Sequence, residues 1–223
     1  MIWFTADTHF GHANALRFTD RHERWDTVED MDRGFVANIN ACVGPRDHLY
    51  ILGDFSFRID VDGARRIRER LNCEHVHLVP GNHDKDWSVP ALAGTFEVEP
   101  PILTLKDRGR KFELCHYPMV DWRGLGYGAI HLHGHIHAPA AYNEWNRANR
   151  VLRYDVGMDA NGYFPVSSAQ VLDFFKGVQP RPRVTREQWL ELTRGTGPAA
   201  ADALLPASVA PTAAELDGGE GGR

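Results

Sequence analysis

An α/β (α+β) domain made of two mixed β-sheets flanked by helices is the architecture the sequence predicts, and three observations carry it. Short apolar runs recur along the chain, each ending in polar residues of metal-ligand type. Amphipathic helix candidates separate the first three runs, and that alternation of strand and helix makes parallel crossovers the expected connection. The second half is richer in strands, set apart by turns that contain Gly, Pro or Asn.

The first strand is expected over residues 2–6. A helix follows, with Asp26 as N-cap, Glu29 at the capping-box position and Val28, Met31, Phe35 and Ile39 on one face. It stops at Gly44-Pro45. The second strand spans 48–52, and a helix over 63–71 turns Ile67 and Leu71 inward while Arg65, Arg66, Arg68 and Arg70 form a solvated face. The third strand spans 75–79. Further strands are expected over 103–105, 111–114, 129–132 and 151–156, with Asp107-Arg108-Gly109 as one of the turns between them. Ser167 with Gln170 forms another capping box, opening a helix through Val171, Phe174 and Phe175 to Gly177. Thr185 with Gln188 starts a last helix that ends near Arg194, Val184 stapling to Trp189.

With 223 residues, 43% of them hydrophobic, the chain holds apolar material for one domain and not for two. We assign that domain to residues 1–194. Residues 195–223 are Ala-, Gly- and Pro-rich and are expected to form a disordered tail. A net charge of −5 gives no long-range attraction for a nucleic-acid backbone, which disfavours a large DNA-binding face. The N-terminus runs straight into a strand without a signal-peptide pattern. No apolar run approaches the roughly 18 residues of a spanning helix, so no membrane partner is expected. Cys42, Cys73 and Cys115 are an odd set without metal-type spacing. Together these features point to a cytoplasmic protein with three free thiols.

Twelve histidines are the unusual number, because several cluster in Asp7-Thr8-His9-Phe10-Gly11-His12 and His131-Leu132-His133-Gly134-His135-Ile136-His137. Asp7 and His9 stand two apart at a strand end, so their side chains leave on one side. The second strand ends Gly53-Asp54, the third Pro80-Gly81-Asn82-His83-Asp84, the fourth His116, and the fifth Gly134-His135-Ile136-His137. Taken singly, each fragment has a commoner structural explanation as a cap, a turn or a packed histidine. Five in one chain, each at the end of a strand, are poorly explained by chance.

In order and residue type these five blocks resemble the calcineurin-like metallophosphoesterase superfamily, over Asp7 to His137, and the small single-domain bacterial and phage phosphodiesterases within it. The resemblance implies a metallophosphoesterase-type β-sandwich between helical layers. It implies one metal held by Asp7, His9, Asp54 and His137, and a second by Asp54, Asn82, His116 and His135, with Asp54 as the bridge. His83 would face the leaving group, and Asp84 would orient or polarise it. Two cations about 3.5–4 Å apart depress the pKa of a shared water and neutralise phosphoryl oxygens during in-line attack. Nitrogen and oxygen donors without thiolate suit Mn, Fe, Co, Ni or Zn, and Mn is the family habit.

The second and third blocks lack the Asp-Arg-Gly extension and the Asn-His-Glu of phosphoprotein phosphatases. A phosphodiesterase acting on small diesters is therefore expected: cyclic nucleotides such as 2′,3′-cyclic nucleotides, or nucleic-acid ends. The rival readings are a phosphomonoesterase or nucleotide pyrophosphatase, and a non-catalytic metal-binding scaffold. His12, three residues past His9, and Arg17 in the same loop or helix start are candidates for contacting substrate. His131 and His133 are expected to be packed and hydrogen-bonded, Cys115 to be buried opposite His116, and Asp159 and Asn161 to set the turn in Gly157-Met158-Asp159-Ala160-Asn161-Gly162-Tyr163.

Overall fold

The computed structural model describes residues 1–180. The helix expected from Thr185 to Arg194, the tail over 195–223 and the domain boundary at 194 lie outside them. One sheet has the strand order β4-β3-β2-β1-β9. In it β1 (Ile2–Thr5), β2 (His48–Ile51), β3 (His75–Leu78) and β4 (Glu97–Val98) run parallel, and β9 (Val166–Ser167) pairs antiparallel with β1. The other sheet has the order β5-β6-β7-β8. There β5 (Ile102–Asp107) and β6 (Arg110–Cys115) form an antiparallel hairpin, while β6, β7 (Ile130–His133) and β8 (Arg153–Asp155) are parallel. The expected fold of two mixed sheets flanked by helices is what the chain adopts.

Two apolar layers account for this arrangement. Phe4, Tyr50, Leu52 and Val79 of the first sheet and its strand ends pack against Phe112, Leu114, Ile130 and Leu132 of the second. The rings of Phe4 and Phe112 lie 5.7 Å apart at the centre of that layer. The opposite face of the first sheet, through Leu49, Ile51, Val76 and Leu78, packs on Met31, Phe35 and Ile39. Those three come from α2 (Val28–Cys42), and each is fully buried, worth roughly 1.5–3 kcal/mol apiece against exposure. A strand whose two faces are both covered reads as a continuous apolar run, which is why β1, β2 and β3 were legible.

Some details differ from expectation. The N-cap of α2 is Thr27, one residue after Asp26: its backbone is extended and its hydroxyl accepts the Asp30 N–H at 3.1 Å, which leaves Glu29 short of the capping-box position. Helix α3 (Val61–Glu69) begins before residue 63 because the Asp60 carboxylate caps it, and Leu71 is buried just past its end. The loop or helix start after His12 is the short helix α1 (Ala15–Phe18), and helix α4 (Ala140–Ala148) was not anticipated. The buried residues of α4 are Asn143 and Asn146, so it carries no apolar stripe to read. Asn143 instead brackets the backbone of Asp155 with two hydrogen bonds. The turn at Arg108-Gly109 closes the β5–β6 hairpin with both residues at positive φ, and the Ser167/Gln170 capping box opens α5 (Ser168–Phe174). No helix among the described residues is long and apolar enough to cross a membrane.

Candidate metal centre

Five parallel strands, three from one sheet and two from the other, end at one place. Their last residues leave the strands abruptly. Asp7, His9, Asp54, His135 and His137 all have positive φ, between 46° and 75°, a region that costs a residue with a Cβ roughly 1–3 kcal/mol. Neighbouring backbone holds them there: the Asp7 N–H donates to Gly53 O at 3.1 Å, the His9 N–H to Asp54 O at 3.0 Å, and the His135 N–H to the Asp7 carboxylate at 2.8 Å. Gly53 must be glycine. Its φ is +86°, and a Cβ there would lie 2.4 Å from His116 Nδ1 and 2.7 Å from the Cα of Gly81.

These turns bring the side chains into two groups, Asp7 with His9 and His137, and Asp54 with His116 and His135; within each group the donor atoms lie within 4.8 Å of one another. Asp54 Oδ2 stands between them, 3.5 Å from His9 Nε2 and 3.5 Å from His116 Nε2. Asn82 Oδ1 is 2.9 Å from His116 Nε2. His116 Nδ1 donates to Leu52 O at 2.8 Å, so Nε2 presents its lone pair to two oxygens that are themselves acceptors. His137 Nδ1 is likewise committed to Asp159, and its Nε2 faces His9 Nε2 at 3.1 Å. Asp7 Oδ1 is buried without a hydrogen-bond partner. So many converging lone pairs call for cations, and the residues present fit a pair of divalent ions.

The proton affinities express the same crowding. Burial raises Asp7 to about 6 against the opposing pull of His137 and His116. Burial and the facing His137 push His9 down to about 2. At His116 burial works downward, but the hydrogen bond and charge of Asp54 outweigh it and raise the imidazole to about 9; the reciprocal attraction holds Asp54 at about 2 despite its burial. A proton there does the neutralising that a metal would do.

His83 is exposed at the mouth of the site, its ring centroid 4.8 Å from Phe57 and 5.6 Å from His9. Its backbone N–H donates to Asp54 Oδ1 at 2.9 Å. Asp84, expected to orient or polarise His83, has its carboxylate engaged by the N–H groups of Asp54, Phe55 and Gly81 at 2.8, 3.0 and 2.8 Å, so it ties two ligand loops together. His12 lies at the rim, 4.2 Å from the Phe57 ring and 5.5 Å from that of His9, and burial together with the charges of His83 and Arg21 lowers it to about 4. Arg17 is exposed on α1 and is not among the side chains that meet at the site.

His131 and His133 are buried and hydrogen-bonded, Cys115 is buried beside His116, and the Asn161 amide holds its loop by donating to Asp155 O and Gly157 O. Asp159 does more than set the turn. Its carboxylate takes a two-pronged contact from the fully buried Arg21 and a hydrogen bond from His137. Sequence reasoning missed Arg21, and it missed Asp32, whose carboxylate accepts the Gly11 N–H at 3.0 Å from the side of α2. Neither stands in a recognisable motif.

No protein-family model matches the sequence. Among solved structures, the Protein of Unknown Function AQ665 from Aquifex aeolicus has the same fold, with a TM-score of 0.60, 24% sequence identity, and 78% of this chain and 98% of that one covered. The Gene 66 protein of Mycobacterium phage L5 is 26% identical over 199 residues, 77% of this chain and 92% of the phage protein. Identity reaches 33% over 138 residues, 61% of this chain and 69% of its relative, with a protein of Methanocaldococcus jannaschii, and the chain belongs to one family with that relative, Uncharacterized protein MJ1445.

Proposed function

We propose that the protein is a dinuclear metal-dependent phosphoester hydrolase that prefers small phosphodiesters, cyclic nucleotides such as 2′,3′-cyclic nucleotides among them. One observation carries the reading: Asp54 Oδ2 is equally far, at 3.5 Å, from an imidazole nitrogen of each ligand group, the position a bridging carboxylate takes. Asp7, His9, Asp54 and His137 would hold one ion, and Asp54, Asn82, His116 and His135 the other. The donor set is all nitrogen and oxygen, which suits Mn first and Fe, Co, Ni or Zn as alternatives. Two ions held there would activate water for attack at neutral pH and would neutralise charge on the phosphoryl oxygens.

The protein's own side chains do the rest. His83 is exposed beyond the ligand groups, on a loop anchored to the bridging Asp54, and protonates the departing alkoxide, a contribution of roughly 10²–10⁴ in rate. His12, neutral near pH 7, offers a ring N–H to a phosphoryl oxygen. Asn82, His83 and Tyr117 are exposed beside the ligand groups, and an exposed site suits a diester, whose two organic groups both project from phosphorus.

The test combines metal titration with turnover. Metal-depleted protein is titrated with Mn²⁺ by calorimetry, then assayed on an aryl diester, its monoester, 2′,3′- and 3′,5′-cyclic nucleotides and single-stranded oligonucleotides. Two ions per chain and faster diester than monoester cleavage are expected, and His83→Ala should keep both ions while losing roughly 10²–10⁴ in turnover. Binding of fewer than two ions, or no hydrolysis of any ester with both bound, overturns the reading.

A further inference from the structure

We infer that Arg21 and Asp159 form a positioning pair that sets the affinity of one of the two metal positions, the one made by Asp7, His9 and His137. The inference rests on the metal-site reading above and goes beyond it to residues outside the signature blocks. Arg21 sits in the 3₁₀ turn Asp20–Glu23, and its side chain is fully buried, which is rare for an arginine and requires partners on every side. It finds them. Nε donates to Asp159 Oδ1 at 2.8 Å and Nη2 to Asp159 Oδ2 at 2.7 Å, the two-pronged geometry that fixes a carboxylate in one plane. Nη2 also donates to the backbone carbonyl of Asp7 at 2.6 Å and Nη1 to that of Thr8 at 3.3 Å. The guanidinium lies 5.0 Å from the centre of the Phe35 ring, on the core face of α2.

Each contact bears on a ligand. Asp159 Oδ2, held by Arg21, accepts from His137 Nδ1 at 2.8 Å, and that bond selects the tautomer whose Nε2 lone pair points toward His9 and Asp7. The carbonyls of Asp7 and Thr8 flank the stretch in which Asp7 and His9 take positive φ, so the same guanidinium pins the turn that aims those two side chains. One buried cation thus orients Asp7, His9 and His137, three of the four ligands of one position, the fourth being the shared Asp54. At the other, His116 Nδ1 is oriented by the carbonyl of Leu52 instead. The two positions are therefore separable by mutation.

Calorimetric titration of the metal-free full-length protein with Mn²⁺, in the absence of any substrate, tests this. For Asp159→Asn we expect one of the two binding events to weaken roughly 10–100-fold while the other stays within about twofold of wild type. Asp159→Asn strands a buried arginine, so the double variant Arg21→Gln/Asp159→Asn, which removes the stranded charge, is measured beside it and should show the same one-site loss. Asp159→Glu, which restores a carboxylate, should recover part of the lost affinity. Two unchanged affinities, or a lowered unfolding temperature with both affinities in their wild-type ratio, overturn the proposal and leave a purely structural ion pair. Failure of the wild-type protein to bind two ions would instead overturn the metal-site reading itself.

Discussion

Acid should destabilise the metal-free protein through His131, away from the ligand groups. This ring is fully buried. Its Nδ1 donates to Glu113 O at 2.9 Å, and its Nε2, 3.1 Å from Tyr117 O, accepts the Met119 N–H at 3.0 Å when the ring is neutral. Burial, opposed only in part by the carbonyls of Glu113 and Tyr117, lowers its pKa from 6.5 to about 4. The unfolded chain therefore binds the proton more tightly than the folded one. The stability that neutral His131 allows is complete above pH 6.5, falls as the pH drops below that value, and is fully lost below about pH 4. At 1.36 kcal/mol per tenfold change in proton affinity, the total is about 3 kcal/mol. His133, held low by its own burial, acts in the same direction. Urea unfolding in excess chelator at several pH values between 7 and 4.5, for wild type and His131→Phe, isolates the contribution as a difference in slope. The variant should begin less stable, by about 1–3 kcal/mol, because the Met119 N–H loses its acceptor, and then lose stability with acid less steeply. Equal slopes in the two proteins would refute the reasoning.

Two further substitutions probe the loops. Asp84→Ala unpairs three backbone N–H groups at once and should lower stability by about 3 kcal/mol or more, read by urea unfolding, whereas His83→Ala next to it should leave stability within about 0.5 kcal/mol. If Asp84→Ala kept full stability and lost only turnover, Asp84 would act on His83 after all. Gly53→Ala places a Cβ 2.4 Å from His116 Nδ1 at a φ of +86° and should cost more than about 1 kcal/mol in thermal unfolding while weakening metal binding at His116; unaltered Mn²⁺ affinity would show that the loop relaxes around the methyl group.

What could be read from the sequence was local. Asp7 and His9, Asp54, Asn82, His116, His135 and His137 each follow an apolar run by one to five residues, so the strand pattern alone locates them at strand ends. The Ser167/Gln170 cap was legible and the α2 cap was legible to within one position, the slip from Asp26 to Thr27 arising because both neighbours are competent caps and only the backbone angle decides, whereas the Asp60 cap of α3 was not read. The rest depended on distance along the chain. Arg21 meets Asp159 across 138 residues and Asp84 meets the backbone of Asp54 across 30, contacts that no window of sequence displays. Helix α4 escaped because its buried residues are Asn143, whose amide bonds the Asp155 backbone, and Asn146, and a polar inward face leaves no hydrophobic period.

Departures from local backbone preference are concentrated at the site, where five of the nine non-glycine residues at positive φ among the described residues stand; the others are Arg58, Arg108, Arg150 and Tyr163. Five ligand-type residues occupy the left-handed region, and none of them is glycine, so the strain there is not a convenience of chain tracing. It persists because the surrounding contacts over-determine each turn: Gly53 O and Asp54 O take the N–H groups of Asp7 and His9, Arg21 takes the carbonyls of Asp7 and Thr8, and Asp84 takes the N–H groups around Asp54. A chain selected for stability alone would put glycine or asparagine at such turns and would spread its carboxylates and imidazoles apart. Holding them strained, buried and facing one another leaves converging lone pairs that a proton at His116 relieves in part and that bound cations would relieve more fully. That is the physical ground for assigning the strand-end cluster to metal binding rather than to packing.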